Sequence, residues 1–169
     1  MNKQPKVAVI MGSDSDYNAV KPAIEVLKEF EVGFEVHVMS AHRTPDAAAQ
    51  FAKSAEENGF SAIIAAAGKA AHLGGVLAAF SILPVIGLPI KSSTMDGLDS
   101  LLSIVQMPKG IPVATVAIDG AYNAGLLAVQ ILAGEFVQLK DKLKEFKETM
   151  KREIEEKDAA MQKRVAEEF

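Results

Sequence analysis

Val7-Ala8-Val9-Ile10-Met11, followed by Gly12, is five apolar residues in unbroken succession and then a stop. A half-exposed strand would alternate and a helix would need about ten residues, so the run reads as a short strand buried on both faces. Outward from it, Lys21 to Phe30 carries Ile24, Leu27 and Phe30 at helical spacing, with Gly33 placed as the terminator. Phe34 to Met39 reads as a second strand. Thr44-Pro45 is an expected N-cap with a first-turn proline, opening a helix that runs to about Asn58-Gly59. Ala62 to Ala67, Pro84 to Leu88 and Val113 to Ile118 supply strands three to five, with helical or small-residue segments between them.

Strands alternating with helices call for a parallel sheet covered on both faces, because parallel neighbours need crossovers and crossovers are right-handed. The expected fold is therefore α/β, a three-layer αβα sandwich with a flavodoxin-like sheet of order 2-1-3-4-5. Residues 1–134 form the expected catalytic domain and residues 135–169 a helical extension of it. Of those last 35 residues, 19 are charged, while Phe136, Leu139, Leu143, Phe146, Met150 and Ile154 recur every three or four positions. Such a narrow stripe suits a long helix packed on its own domain or, equally, on a neighbouring subunit, so a homo-oligomer is expected.

The chain has 169 residues, 49% of them hydrophobic, enough for one domain with a buried core. Its 22 acids against 18 Lys and Arg give a net charge of -4, with no basic cluster outside the mixed C-terminal segment. Nucleic acid and anionic membrane are therefore poor partners. Cysteine is absent, which removes disulfides, thiolate nucleophiles and Cys-ligated metals, and fits the cytoplasm. Met1-Asn2-Lys3-Gln4-Pro5 shows no secretion signal, and no apolar run reaches the roughly 18 residues of a membrane span. The expectation is a soluble cytoplasmic chain.

Open parallel sheets bind ligands at the carboxyl ends of their strands, so the loops following the strands are the candidates. Gly12-Ser13-Asp14-Ser15-Asp16 lacks the glycines of a dinucleotide fingerprint and the Gly-Lys-Ser/Thr of a P-loop. Its acids would repel phosphate; Ser13 and Asp16 suit ribose hydroxyls, or else simply cap a helix. In Ser40-Ala41-His42-Arg43-Thr44-Pro45, Arg43 precedes a helix N-terminus where free N–H groups already favour an anion such as phosphate. His42 beside it exchanges a proton near neutral pH. In Gly68-Lys69-Ala70-Ala71-His72-Leu73 the small residues let a flat ligand approach the backbone, although Gly68 is equally a turn residue and His72 a helix cap. Ala65, Ala66, Ala67, Ala70, Ala71 and Leu73 would form an apolar wall that keeps water out.

Together with Asp99-Ser100-Leu101-Leu102-Ser103-Ile104-Val105-Gln106-Met107-Pro108, these strings resemble the class I N5-carboxyaminoimidazole ribonucleotide mutases over nearly the whole chain. The resemblance implies a homo-octamer with swapped C-terminal helices that needs no metal, ATP or biotin, hence no cofactor. It implies that Ser13 and Asp16 hold the ribose phosphate portion of the substrate and that Arg43 binds its phosphate. His42 would be the general acid and base at the imidazole C4 while the carboxyl group leaves the exocyclic nitrogen as carbon dioxide and is recaptured. The alanine wall and the backbone donors of Gly68 to Leu73, Lys69 and Ala70 among them, would hold the carbon dioxide, with His72 shaping that loop; Ser40 and Ala41 would offer backbone contacts, and Met107-Pro108 would form a lid or neighbouring rim. Two positions depart from the family pattern, Lys69 for glycine and Gly74 for proline, both expected in the carbon dioxide loop. Class II enzymes, which carboxylate aminoimidazole ribonucleotide directly, differ in that loop. A phosphoacceptor receiver would need an aspartate after strand three and a lysine after strand five, where Ala66-Ala67 and Ile118-Asp119 stand. The acids after strand one argue against a flavin carrier, and a non-catalytic nucleotide-binding module is the remaining alternative.

Overall fold

The computed structural model describes residues 4–169, so the expectation for Met1 to Lys3 lies outside the described residues. Five parallel strands, β1 (Lys6–Met11), β2 (Gly33–Val38), β3 (Ala62–Gly68), β4 (Val85–Ile90) and β5 (Ala114–Thr115), line up in the order 2-1-3-4-5. Six helices follow them: α1 (Tyr17–Glu29), α2 (Pro45–Ser54), α3 (Leu73–Phe80), α4 (Leu98–Val105), α5 (Ala121–Leu132) and α6 (Gln138–Glu168). Side chains on a strand alternate between faces, and the unbroken apolar runs divide accordingly. Val7, Val9 and Met11 pack with Ile64 and Ala66 against α1 and α5, while Ala8 and Ile10 pack with Ile63 and Ala65 against α2 and α3. Both faces of β1 and β3 are buried against helices, which is why these strands carry no polar alternation.

Several local expectations are corrected. α1 is not ended by Gly33: Glu31 adopts φ 57, with the Glu31 amide donating to Lys28 and the Val32 amide to Leu27 at 2.8 Å. That is a Schellman closure with a non-glycine in the left-handed position, where Lys142 of α6 pairs with the Glu31 carboxylate at 2.8 Å. Gly33 instead opens β2, its amide donating to the Pro5 carbonyl. Thr44 precedes Pro45 as expected but makes no side-chain cap. Its hydroxyl donates to the Ser40 carbonyl and accepts from the Ser40 amide, each at 3.0 Å, so it ties the 40–44 loop to itself. β5 is two residues long rather than six, because Asp119 turns the chain at φ 54 and its carboxylate takes the Lys91 amide at 2.9 Å. Gly74 lies inside α3, not in the loop before it, facing Ala65 and Val113.

The C-terminal stripe divides. Phe136 and Leu139 are buried and Phe146 packs edge-on to Phe30 at 5.8 Å, so the start of α6 covers its own domain. From Met150 onward the apolar positions Ile154, Met161 and Val165 are exposed, Ile154 at 63%. No helix among the described residues is long and apolar enough to cross a membrane.

Candidate active site

The carboxyl ends of β1, β2, β3 and β4 surround one cavity of about 610 Å³. Ser13, Asp16, Ser40, Ala41, His42, Arg43, Gly68, Lys69, Ala70, His72 and Leu73 all lie on its wall. Parallel strands bring this about by pointing every post-strand loop the same way.

On the β1 side, Ser13 occupies the cap of a 3-10 turn at Asp14–Asp16 and accepts from the Ser15 amide at 3.3 Å. The capping alternative therefore holds for Ser13 but not for Asp16, which makes no side-chain cap at the start of α1. Asp16 is half-buried, and burial raises its pKa from its ordinary value despite the hydrogen bonds from Ser15 and the Ser13 backbone. A carboxyl raised in the fold favours the native state while protonated; that contribution is complete below about pH 4 and is lost as pH rises through the raised value. Asp16→Asn should therefore melt higher relative to the parent at pH 7 than at pH 4. Equal melting differences at the two pH values would refute the burial account.

On the β2 side, the Arg43 amide donates to Ser40 Oγ at 3.2 Å and its guanidinium reaches the Gly12 carbonyl at 3.3 Å, bridging two loops. Arg43 has no carboxylate partner among the described residues, which leaves its charge available to an anion beside the α2 N-terminus. His42 Nε2 stands 2.9 Å from His72 Nδ1, the rings at 78° to one another. One hydrogen occupies that contact, so one ring donates and the other accepts, and the two facing nitrogens cannot both be protonated. His72 occupies the N-cap position of α3 without making a side-chain cap. His37 stays outside the cavity, paired with Glu35 at 3.2 Å and in tilted ring contact with Phe51 at 5.2 Å.

The apolar wall is narrower than expected. Ala65, Ala66 and Ala71 are buried in the two cores, and only Ala67, Ala70 and Leu73 of the six reach the cavity, joined by Ile90. Met107 and Pro108 are absent from the lining; Met107 packs instead on α3, its sulfur 2.9 Å from where a Cβ on Gly75 would stand. Gly12, Ser15, Ile90, Lys91 and Ser92 were not singled out by sequence reasoning. The loop after β4 follows a strand as the other three do, but no residue type in it signals which part borders the cavity. Among the described residues, no group of three or more His, Asp or Glu side chains is placed to hold a metal ion.

The histidine pair, the arginine at a helix start and the apolar flank come from the 40–45 and 68–73 strings that carried the resemblance, and Ser13 and Asp16 of the first string share their rim, whereas the 99–108 string lies off it. The AIR carboxylase family model matches residues 6–153. The chain belongs to the AIR carboxylase family. It is 61% identical over 148 residues to the N5-carboxyaminoimidazole ribonucleotide mutase of Pyrococcus abyssi, which covers 88% of this chain and 85% of that protein. Against the mutase of the same name from Thermotoga maritima, identity is 57% over 153 residues, 90% of each chain. A solved PurE from Treponema denticola superposes with a TM-score of 0.84 at 29% identity, covering 92% of this chain and 98% of that one. The cavity built by the β1 to β4 loops lies within the matched residues, with Lys69 at φ 55 on its wall.

Proposed function

We propose that this member of the AIR carboxylase family is an isomerase that interconverts N5-carboxyaminoimidazole ribonucleotide and 4-carboxy-5-aminoimidazole ribonucleotide in purine synthesis. The observation that carries the reading is the His42–His72 contact at 2.9 Å on a cavity shared with Arg43. The exocyclic nitrogen takes a proton from His42 as its carboxyl group leaves as carbon dioxide; the carbon dioxide bonds to C4, and the proton displaced from C4 returns to His42, so that no net proton is gained or lost. His42 is the general acid and base, and His72 fixes its ring orientation and tautomer through the shared hydrogen. Arg43 and the α2 N-terminus hold the phosphate, Ser13 and Asp16 the ribose portion, and the backbone of Ser40 and Ala41 the base. Gly68, Ala70 and Leu73 border the carbon dioxide. The substrate's enamine is already reactive, so positioning and exclusion of water supply much of the rate. We propose further that the exposed stripe of α6 docks on neighbouring copies in a homo-octamer.

The test is to give the protein N5-carboxyaminoimidazole ribonucleotide, and separately aminoimidazole ribonucleotide with bicarbonate, and follow the C4-carboxylated product by ultraviolet absorbance. Fast conversion of the first, with the second requiring high bicarbonate, is the expected result. Efficient use of the second alone would make this a direct carboxylase, and silence with both would leave a nucleotide-binding module. Within the proposal, Arg43→Ala weakens nucleotide binding by roughly 10- to 100-fold, the loss of charge-assisted hydrogen bonds, while kcat stays within a few-fold. Titration calorimetry with the nucleotide checks it, and unchanged affinity would remove Arg43 from the phosphate site.

A further inference from the structure

We propose that Lys69 is a specificity residue of this cavity, its ammonium pairing with the carboxylate that the substrate carries and the decarboxylated nucleotide lacks. The inference rests on the reaction proposed above.

Four non-glycine residues among those described adopt positive φ: Glu31, Lys69, Asp96 and Asp119. Each carries a steric cost that glycine would not. In three of them the side chain makes a specific bond. Glu31 pairs with Lys142 at 2.8 Å, Asp96 with Lys91 at 3.3 Å, and Asp119 accepts from the Lys91 amide at 2.9 Å. Lys69 is the exception, because its exposed ammonium has no partner among the described residues and it is the one of the four on the cavity wall. A strained backbone on a cavity wall, bearing an ammonium with no protein partner among the described residues, is an arrangement whose missing partner is a ligand.

The charge layout says which ligand group. Arg43 is unpaired at the α2 N-terminus and suits a phosphate, whereas the Lys91 ammonium is already engaged with Asp96. Lys69 lies in the turn between β3 and α3, three residues before the His72 N-cap, where the first-turn amides of α3 have no intrahelical acceptors. That corner, beside the histidine pair and the Ala67–Leu73 flank, suits a second, smaller anion. Substrate and product both carry a carboxylate, and carbon dioxide between them is neutral. A cation there strengthens the two bound ground states more than the intermediate stage, so it contributes to binding and to discrimination and not to lowering the barrier.

Lys69→Gly removes the ammonium and the backbone strain together; Lys69→Met removes the charge alone, and Lys69→Arg retains it. With the full-length protein, the Gly and Met variants should raise KM for N5-carboxyaminoimidazole ribonucleotide roughly tenfold, with the fall in kcat/KM arising from KM, and Arg should restore it. Affinity for aminoimidazole ribonucleotide, which lacks the carboxylate, should be the same in all four proteins. An unchanged KM in the Met variant, or equal weakening for both nucleotides, overturns the assignment. Calorimetric binding of the two nucleotides decides the matter even if the parent turns over neither, so failure of the mutase reading and failure of the Lys69 assignment remain separable. Circular dichroism confirms that each variant is folded.

Discussion

His42→Asn stops turnover and leaves the nucleotide bound. Asparagine is close to histidine in reach and can still meet His72 Nδ1, which stands 2.9 Å from His42 Nε2, but it cannot take or return a proton near neutral pH. Removing a positioned acid or base costs about 10²- to 10⁴-fold in rate. The expected outcome in a stopped-flow single-turnover assay is a fall of that size, with the calorimetric Kd of N5-carboxyaminoimidazole ribonucleotide within about twofold of the parent. His42 carries no acid or base role if more than a tenth of the rate survives. Loss of binding in proportion to rate would make it a binding group instead.

Gly125→Val is the largest expected loss of stability. A Cβ at Gly125 of α5 would stand 2.8 Å from the Ala23 carbonyl oxygen and 3.0 Å from Val26 Cβ, both on α1. The first contact is backbone, so no rotamer change relieves it and the two helices must separate. Overpacking of this kind costs about 3 kcal/mol, a large part of a domain's net stability, and lowers Tm by roughly 6–12 °C. Gly74→Ala is the contrasting case: its Cβ meets only Val113 and Ala65 at 3.6 and 3.7 Å, ordinary contact, inside α3. Alanine there should raise stability by about 0.5–1 kcal/mol through helix propensity. Melting curves of the two variants that move in the same direction would show that close helix approach is not what keeps Gly125 small.

The strand-end rim was legible because apolar runs and the loops behind them are local features, and a parallel sheet gathers those loops by rule. His42, Arg43 and His72 could be placed on one rim without coordinates. Their relation could not: the approach of His42 to His72 joins residues 30 apart in the chain, and it depends on how the turn before α3 is shaped by Lys69 at φ 55. Thr44 was misread because capping residues can also bond backward into their own loop, and the loop contact won. Gly33 was misread because an ion pair from α6 accompanies a glutamate in the left-handed position, a contact 111 residues away in sequence. Ser92 illustrates the other limit, since its hydroxyl donates to Asp99 at 3.0 Å while it also lines the cavity, and neither fact leaves a trace in local pattern.

By itself the sequence determined the layer order, the parallel sheet and the rim whose loops border the cavity, because hydrophobic period and post-strand loops are set by residues close together in the chain. Only the tertiary structure decided which ring meets which, where the α1 helix stops, how few of the alanines reach the cavity and that Lys69 stands on its wall at positive φ. Those depend on distances between residues far apart in the chain, fixed by packing of the layers, and no local pattern encodes them.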